Sequence, residues 1–462
     1  MKKIFLFIIA TYALLNSLLL SPVQALIDLG FETSGEILIR AYQDIKDEAP
    51  FQDNQAIDSR FYWFNEFNLK DQNLKFVFGL DARGELFRNQ VTVSNSDLYL
   101  REAYVDFKQD NYNIRIGNQK VTWGKLDDFT VLDRMTPQDF RWFALFEKQE
   151  RKLPTLAIKH TYYADNWQFE GIFLPFFDPS EINFFGSDWA VFGHLKDEIA
   201  NGSFSGSAKN NVQRISIIDK DNLTDNNLKN SQVGLKFKSR VGEVDYDFYY
   251  MYTYSPLPVL REKTSAGNTV KQFLYDPTAV NLEALVDIGA TDTDLTLERE
   301  HSRMHVIGAD WETVLGDYGV RGEAGMFLNS PYLRENMSYV TKNTFTIGAG
   351  IDHTTAKNLY FNFQLVLDYI FDYENLFAQK AFSQQLTGTL TQDFLRDTIA
   401  LNFDWAWSPS YRDWMLNPEI QYKFKNGLHA SLGSYIFEGK SSTILGRYSN
   451  KDLLYMELSF SF

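Results

Sequence analysis

Apolar and polar residues change places at almost every step along most of this chain. Leu74, Phe76, Phe78, Leu80 and Ala82 alternate with Lys75, Gly79, Asp81 and Arg83. Leu359, Phe361, Phe363, Leu365, Leu367 and Tyr369 alternate with Asn358, Asn362, Gln364 and Asp368. The chain ends on Leu454, Met456, Leu458, Phe460 and Phe462, with Glu457, Ser459 and Ser461 between them. Period two gives an extended strand one apolar and one polar face. The pattern predicts eighteen strands, at 33–43, 59–70, 73–85, 97–108, 111–121, 153–163, 166–175, 230–240, 243–254, 302–314, 317–328, 342–355, 358–371, 385–395, 397–407, 413–424, 427–438 and 451–462. It slips near Arg303 and His305, and 385–395 is thin in large apolar residues. Segments of this length suffice to cross a bilayer as tilted strands.

The connections between these segments also alternate. Every second one is a tight turn: Asp71-Gln72, Gln109-Asp110, Ala164-Asp165, Val241-Gly242, Leu315-Gly316, Ala356-Lys357, Arg396 and Lys425-Asn426. Asp, Asn and Gly recur there, as tight hairpins require. The others are longer: 44–58, 86–96, 122–152, 176–229, 255–301, 329–341, 372–384, 408–412 and 439–450. Segregated loop lengths and an even strand count specify an all-β chain, a transmembrane antiparallel β-barrel of about 18 strands with short periplasmic turns and long extracellular loops. A soluble barrel would turn its apolar face inward and need far fewer strands.

Composition agrees with a bilayer. Aromatic residues make up 16 % of the chain, yet mean hydropathy is −0.30, which excludes a helical membrane protein. Only a closed barrel satisfies its backbone in hydrocarbon while keeping half its side chains polar. Trp63, Trp123, Trp167, Trp311, Trp405, Trp407 and Trp414 lie near predicted strand ends, where interfacial girdles belong. The net charge of −15 argues against nucleic acid. With no cysteine, disulfides, thiol catalysis and Cys-ligated metals are excluded. Lys2 and Lys3, the apolar run Ile4 to Leu20, and Val23-Gln24-Ala25 form a secretory signal pattern. Residues 1–25 are therefore expected to be cleaved after export through the general secretory pathway. Residues 26–462 are expected to form a single barrel domain.

Two places carry a family resemblance. The final strand from Leu453 to Phe462, with its terminal Phe, resembles the signal that bacterial outer-membrane barrels present to the barrel-assembly machinery. Residues 115–141 resemble a family of outer-membrane porin-like proteins of unknown function, related to the alginate-export and porin superfamily. The match lies in Arg115-Ile-Gly-Asn-Gln119, in Trp123-Gly124, and in Asp133, Pro137 and Asp139. The resemblance implies a channel in the outer membrane and names no solute.

The segment 124–154 is charge-dense. Lys125, Arg134, Arg141, Lys148, Arg151 and Lys152 stand against Asp127, Asp128, Asp133, Asp139, Glu147 and Glu150. Thr136-Pro137 reads as a helix start, followed by Phe140, Phe143, Ala144 and Phe146 at helical spacing. We expect this segment to fold into the barrel and narrow it, because a wide barrel needs a constriction to be selective. Candidate constriction residues are Arg115, Gln119, Asp127, Asp128, Asp133, Arg134, Asp139, Arg141, Glu147 and Lys148. Alternation assigns Arg40, Asp81, Arg83, Glu102, Lys236, Arg321 and Glu323 to the lumen wall. That wall is mixed with an acidic lean, which predicts mild cation preference or indifference to charge.

These features describe a porin-like channel for passive diffusion of small solutes. The alternatives are a channel for hydrophobic compounds, suggested by Phe173-Leu-Pro-Phe-Phe177 and Phe184-Phe185, and a dedicated alginate-export-like conduit. A structural or adhesive barrel, which predicts a sealed lumen, is the further competitor. Expected partners are outer-membrane lipid and lipopolysaccharide, the barrel-assembly machinery, and small-molecule solutes. Self-association into a homo-oligomer is compatible with the pattern. No nucleophile motif surrounds any of the six histidines, so no enzyme and no cofactor is expected. Asp219 to Asp225 departs from a calcium loop at Leu223 and Thr224. The stretches 188–200 and 281–288 could form short helices at the mouth.

Overall fold

The computed structural model describes residues 32–46, 55–69, 73–88, 92–127, 129–143, 145, 148–220, 223–289 and 294–462. The expected signal peptide lies outside them. The strands, in chain order, are β1 (Glu32–Asp44), β2 (Gln55–Leu69), β3 (Leu74–Arg88), β4 (Thr92–Lys108), β5 (Tyr112–Gln119), β6 (Thr155–Tyr163), β7 (Trp167–Leu174), β8 (Ser216–Asp219), β9 (Gln232–Val241), β10 (Val244–Tyr254), β11 (Val259–Glu262) and β12 (Thr296–Glu300). They continue with β13 (Arg303–Leu315), β14 (Tyr318–Leu333), β15 (Tyr339–Thr354), β16 (Leu359–Ile370), β17 (Phe382–Phe394), β18 (Ile399–Ser408), β19 (Asp413–Lys423), β20 (Leu428–Glu438) and β21 (Leu453–Ser461).

Eighteen of these, all but β8, β11 and β12, form one antiparallel sheet of nearest-neighbour hairpins. Tyr42 pairs with Tyr455 and Ile37 with Phe460, so β21 closes the sheet against β1. At the seam Gly35 and Phe462 exchange two backbone hydrogen bonds, of 2.9 and 3.0 Å. Each predicted strand has its counterpart in this closed barrel.

Side-chain burial is inverted relative to a soluble protein. Phe248 is 54 % exposed and Ile307 and Leu432 are each 55 % exposed, on the outer face. Asp81 and Glu323, on the inner face, are 2 % exposed. Among the described residues no helix is long and apolar enough to cross a membrane.

Several expected loops are shorter than the alternation suggested, 44–58 among them because β2 begins at Gln55. β3 and β4 run on to Arg88 and from Thr92, and β14 and β15 to Leu333 and from Tyr339. A strand that projects beyond a bilayer no longer needs an apolar outer face, so period two fades while pairing continues. A second correction concerns phase. Phe78 pairs with Ala103 but Leu80 with Leu100, so Arg101 and Glu102 together oppose Gly79. This bulge in β4 resets the alternation. Arg101 is buried against Asp81 inside the barrel, while Leu98 and Leu100 stay exposed outside.

The two longest connections, 175–231 and 255–302, fold together at the long-loop end. Helices Leu195–Asn201, Gly206–Arg214, Gly267–Tyr275 and Ala279–Gly289 pack with a small sheet in which β12 lies between β8 and β11. Ile199, Val212, Val270, Phe273, Leu285 and Leu297 are buried in its own core. The stretches 188–200 and 281–288 thus overlap helices, and these pack among the large outer loops. Phe177 packs on Tyr254 and His301, and Phe184 and Phe185 on Phe192. Phe177, Phe184 and Phe185, from the aromatic stretches proposed as receivers of apolar solutes, are thus engaged in loop packing. Trp189 carries this assembly to Phe437 and Tyr448, beside the closing strand.

Candidate functional site

The segment 120–154 leaves the wall after β5 and returns as β6. Gln119 and Lys152 hold the ends of this excursion. Gln119, fully buried, donates to the Ala157 carbonyl at 3.0 Å. Lys152, also fully buried, donates to the Val121 carbonyl at 2.7 Å and to Asp133 at 2.8 Å. Burial pushes the Lys152 ammonium below its ordinary value, and Asp133 only partly offsets this.

Beyond its ends the segment reaches the far wall. Glu323 on β14 accepts the backbone N–H groups of Lys125, Leu126, Val131 and Leu132, at 2.6 Å from Leu126 and 2.7 Å from Val131. Gly124, at φ +91°, allows this turn, and a Cβ there would lie 2.5 Å from a Glu323 oxygen. Trp123 donates to Glu170 on β7 at 2.7 Å and packs on Tyr249. Inward-facing glycines make the seat: a Cβ at Gly234 would lie 2.4 Å from Trp123, at Gly308 2.3 Å from Leu132, and at Gly348 2.5 Å from Leu126. The buried apolar cluster around the seat joins segment residues Trp123, Leu126 and Leu132 to wall residues Met251, Val306 and Val366. Asp127, 46 % exposed on its side chain, accepts from Asn362 at 2.5 Å and pairs with Arg321 at 3.0 Å. Arg321 also pairs with Asp352 at 2.5 Å.

The other half of the segment is held by β1 to β4. Asp139, fully buried, pairs with Arg83 and Arg141, each at 2.8 Å. Burial raises its carboxyl, but the Arg141 hydrogen bond and the charges of Arg141 and Arg83 outweigh that and hold it below the usual carboxylate range. Arg141 also reaches Asp97 at 2.8 Å and Tyr99 at 2.7 Å. Trp142 donates to Glu85 at 2.6 Å, and Leu145 accepts from Tyr435 at 2.9 Å. Five cations converge on the short helix Lys148–Arg151. Arg40 forks onto the Glu150 carboxylate at 3.1 and 3.2 Å, with Arg60 at 3.4 Å. Arg83 and Arg101 donate to the Glu150 carbonyl, and Lys120 to that of Gln149 at 2.7 Å. Burial raises the Glu150 carboxyl, but Arg40 and Arg60 together drive it below its usual range. Lys120, desolvated and beside Arg60 and Arg83, is lowered to about 8.

The expected helix start at Thr136-Pro137 is not one. Thr136 donates its hydroxyl to the Val121 carbonyl instead of capping an N–H, and Gln138 and Asp139 pair in extended fashion with Lys152 and Glu181. A cap is worth about 1 kcal/mol. The doubly paired Asp139 carboxylate outweighs it. Among the described residues the segment is helical only over Lys148–Arg151.

Of the ten constriction candidates, Asp127, Asp133, Arg134, Asp139, Arg141 and Lys148 lie in this inner segment and Gln119 at its root. Arg134 donates to the Val131 carbonyl at 3.1 Å, and Lys148 to that of Leu126 at 3.2 Å. Arg115 stands apart, on the β5 wall, paired with Asp106 at 2.9 Å. Asp128 and Glu147 lie outside the described residues. Of the wall candidates, Arg40, Asp81, Arg83, Arg321 and Glu323 contact the segment or its partners. Glu102 sits at the bulge, and Lys236 lies half-buried in register with Tyr249. The sequence reading omitted Arg60, Arg101, Lys120 and Asp310. Arg101 is hidden by the bulge, and Asp310 by the irregular start of β13. Of the six histidines, His301 faces the Ser255 carbonyl at 2.7 Å before β13, and His305 lies beside Tyr250 and Tyr252.

Residues 42–462 match a family model described as a protein of unknown function, DUF1302. No curated protein matches the sequence. Among solved structures, the chain is similar to OccAB1 of Acinetobacter baumannii at 9 % identity, covering 93 % of this chain and 96 % of that one, with a TM-score of 0.48. It is similar to OccD3 (OpdP) of Pseudomonas aeruginosa at 9 % identity over 93 % and 91 % (TM-score 0.45), and to OprB of Pseudomonas putida at 8 % identity over 95 % of both (TM-score 0.42). None of these matches names alginate export.

Proposed function

The chain belongs to the DUF1302 family, and from that premise we propose that it is an outer-membrane channel through which small polar solutes diffuse passively, with residues 120–154 as its constriction. The observation that carries this reading is the inverted burial: apolar side chains point out of a closed barrel and charged ones line its inside. Such a surface is stable only in lipid, and such an interior only with water or a polar filling. The segment that crosses the interior is the natural filter, because every solute must pass it.

The charge that remains available to a solute is mainly negative. Cationic side chains around the segment are engaged by carboxylates and carbonyls. On the opposite arc Asp368 is hydrogen-bonded by Thr346 and Ser383, and Glu419 by Asn402 and Tyr455. These neutral donors orient the carboxylates without cancelling them. Mild cation preference follows.

The test is reconstitution in planar bilayers, with the wild type beside a deletion of 127–150. The full chain is expected to conduct and to give a reversal potential favouring cations. The deletion is expected to raise single-channel conductance and weaken that preference. A non-conducting wild type would overturn the channel reading, and unchanged conductance in the deletion would overturn the constriction.

A further inference from the structure

We propose that Asp247 and Asp310 share a single proton, and that this proton latches the inner segment into its seat. The inference rests on reading that segment as the constriction.

Asp247 on β10 and Asp310 on β13 are directly paired in register and both face the lumen. They are 2 % and 1 % exposed. Between them stands the Tyr249 hydroxyl, 2.5 Å from Asp310 Oδ2 and 3.1 Å from Asp247 Oδ2. A phenol carries one hydrogen, so it can donate to only one carboxylate. The second oxygen–oxygen approach is favourable only if that carboxyl is protonated and donates in return. The remaining oxygens, Asp247 Oδ1 and Asp310 Oδ1, are buried with no hydrogen-bond partner among the described residues. Two ionised carboxylates with orphaned oxygens at this distance repel strongly in a dry site. One proton on the pair removes that repulsion and supplies the missing hydrogen.

The charged groups around the pair do not replace it. Lys238 is in register with Asp247 and Lys236 with Tyr249, on β9. Both lie half-buried beside the pair without a hydrogen bond to either carboxylate. From the segment, Lys125 pairs with Glu312 on β13 at 3.1 Å. Glu323, in register with Asp310, is taken by the four segment N–H groups, Arg321, in register with Glu312, by Asp127 and Asp352, and Glu170 on β7 by Trp123.

The lid on this pair is the segment itself. Trp123 packs on Tyr249 with ring centroids 5.4 Å apart, and Leu132 fills the space over Gly308, two residues from Asp310. When the proton leaves, the doubly charged pair needs water, and water enters only where Trp123 and Leu132 lift. The channel is thus expected to widen as pH rises.

Single-channel conductance of the reconstituted full chain is to be followed from acid to alkaline pH, with Asp310→Asn and Asp247→Asn alongside. The wild type is expected to show a step to higher conductance, about two-fold, as the pair ionises. Either variant keeps one carboxyl and a neutral amide, and is expected to stay in the low-conductance state throughout. Lys120, lowered to about 8, loses its charge in all three proteins, so its effect cancels in the comparison. Infrared difference spectra should show a carboxylic-acid carbonyl band at neutral pH in the wild type, lost in both variants. A flat wild-type profile, a step retained in both variants, or absence of that band would overturn the latch. A protein that shows the band but never conducts would overturn the channel reading instead.

Discussion

Glu323 binds four backbone N–H groups with one carboxylate, which needs four acceptor positions and a negative charge. Glutamine matches its shape and loses both properties. In Glu323→Gln an amide NH2 would face two of the four N–H donors, at a cost of about 2–4 kcal/mol to the seated segment. Hydrogen exchange at the Leu126 and Leu132 amides should accelerate while exchange in the barrel strands stays unchanged; equal acceleration in both would contradict a local anchor. The sequence placed Glu323 on the inner wall by alternation alone. It could not show what Glu323 binds, because its partners lie about 190 residues away and are backbone groups, which no residue type advertises. Arg101 illustrates a harder case. One extra residue in β4 moves its side chain from the predicted lipid face to the lumen, and bulges leave no compositional mark.

At the scale of elements, the seat for the inner segment is built from what strands usually avoid. Gly234, Gly308 and Gly348 weaken their strands slightly and admit Trp123, Leu132 and Leu126 in return. Gly234→Val restores a good strand former and pushes its side chain into the Trp123 ring. The barrel is expected to assemble normally, while the segment is destabilised by about 1–3 kcal/mol and conductance rises. Resistance of the segment to protease in detergent, with conductance measured in parallel, checks this. A segment that stays protected would show that Trp123 repacks. These glycines were visible in the sequence as gaps in the alternation, a signal that marks close approach without saying what approaches. The helix expected at Thr136 fails for a related reason: local capping chemistry is worth less than the ion pairs Asp139 makes with β3 and with Arg141. The small sheet of β8, β11 and β12 escaped notice because its strands have only four or five residues, too few to establish a period.

For the whole molecule, the two faces of the barrel predict opposite tolerance to charge. Phe248→Arg places a guanidinium on the outer face midway along β10, at a cost of about 2–4 kcal/mol in a bilayer. Thr391→Arg, facing inward on β17, is expected to change stability by less than about 1 kcal/mol. Denaturant unfolding in lipid vesicles compares the two directly, and equal costs would contradict a lipid-facing exterior. The sequence by itself determined this exterior, the number of strands, their order and the end at which the short turns lie. Each of these is a local matter, since period two and turn chemistry are written in neighbouring residues and a bilayer demands them of every strand alike. Only the tertiary structure decided which charges meet inside. Closing the cylinder brings β14 opposite β2, carries Glu323 and Asp127 to their partners, and buries Asp247 against Asp310. Those contacts depend on register and on the path of the inner segment across the bore, which no periodicity encodes.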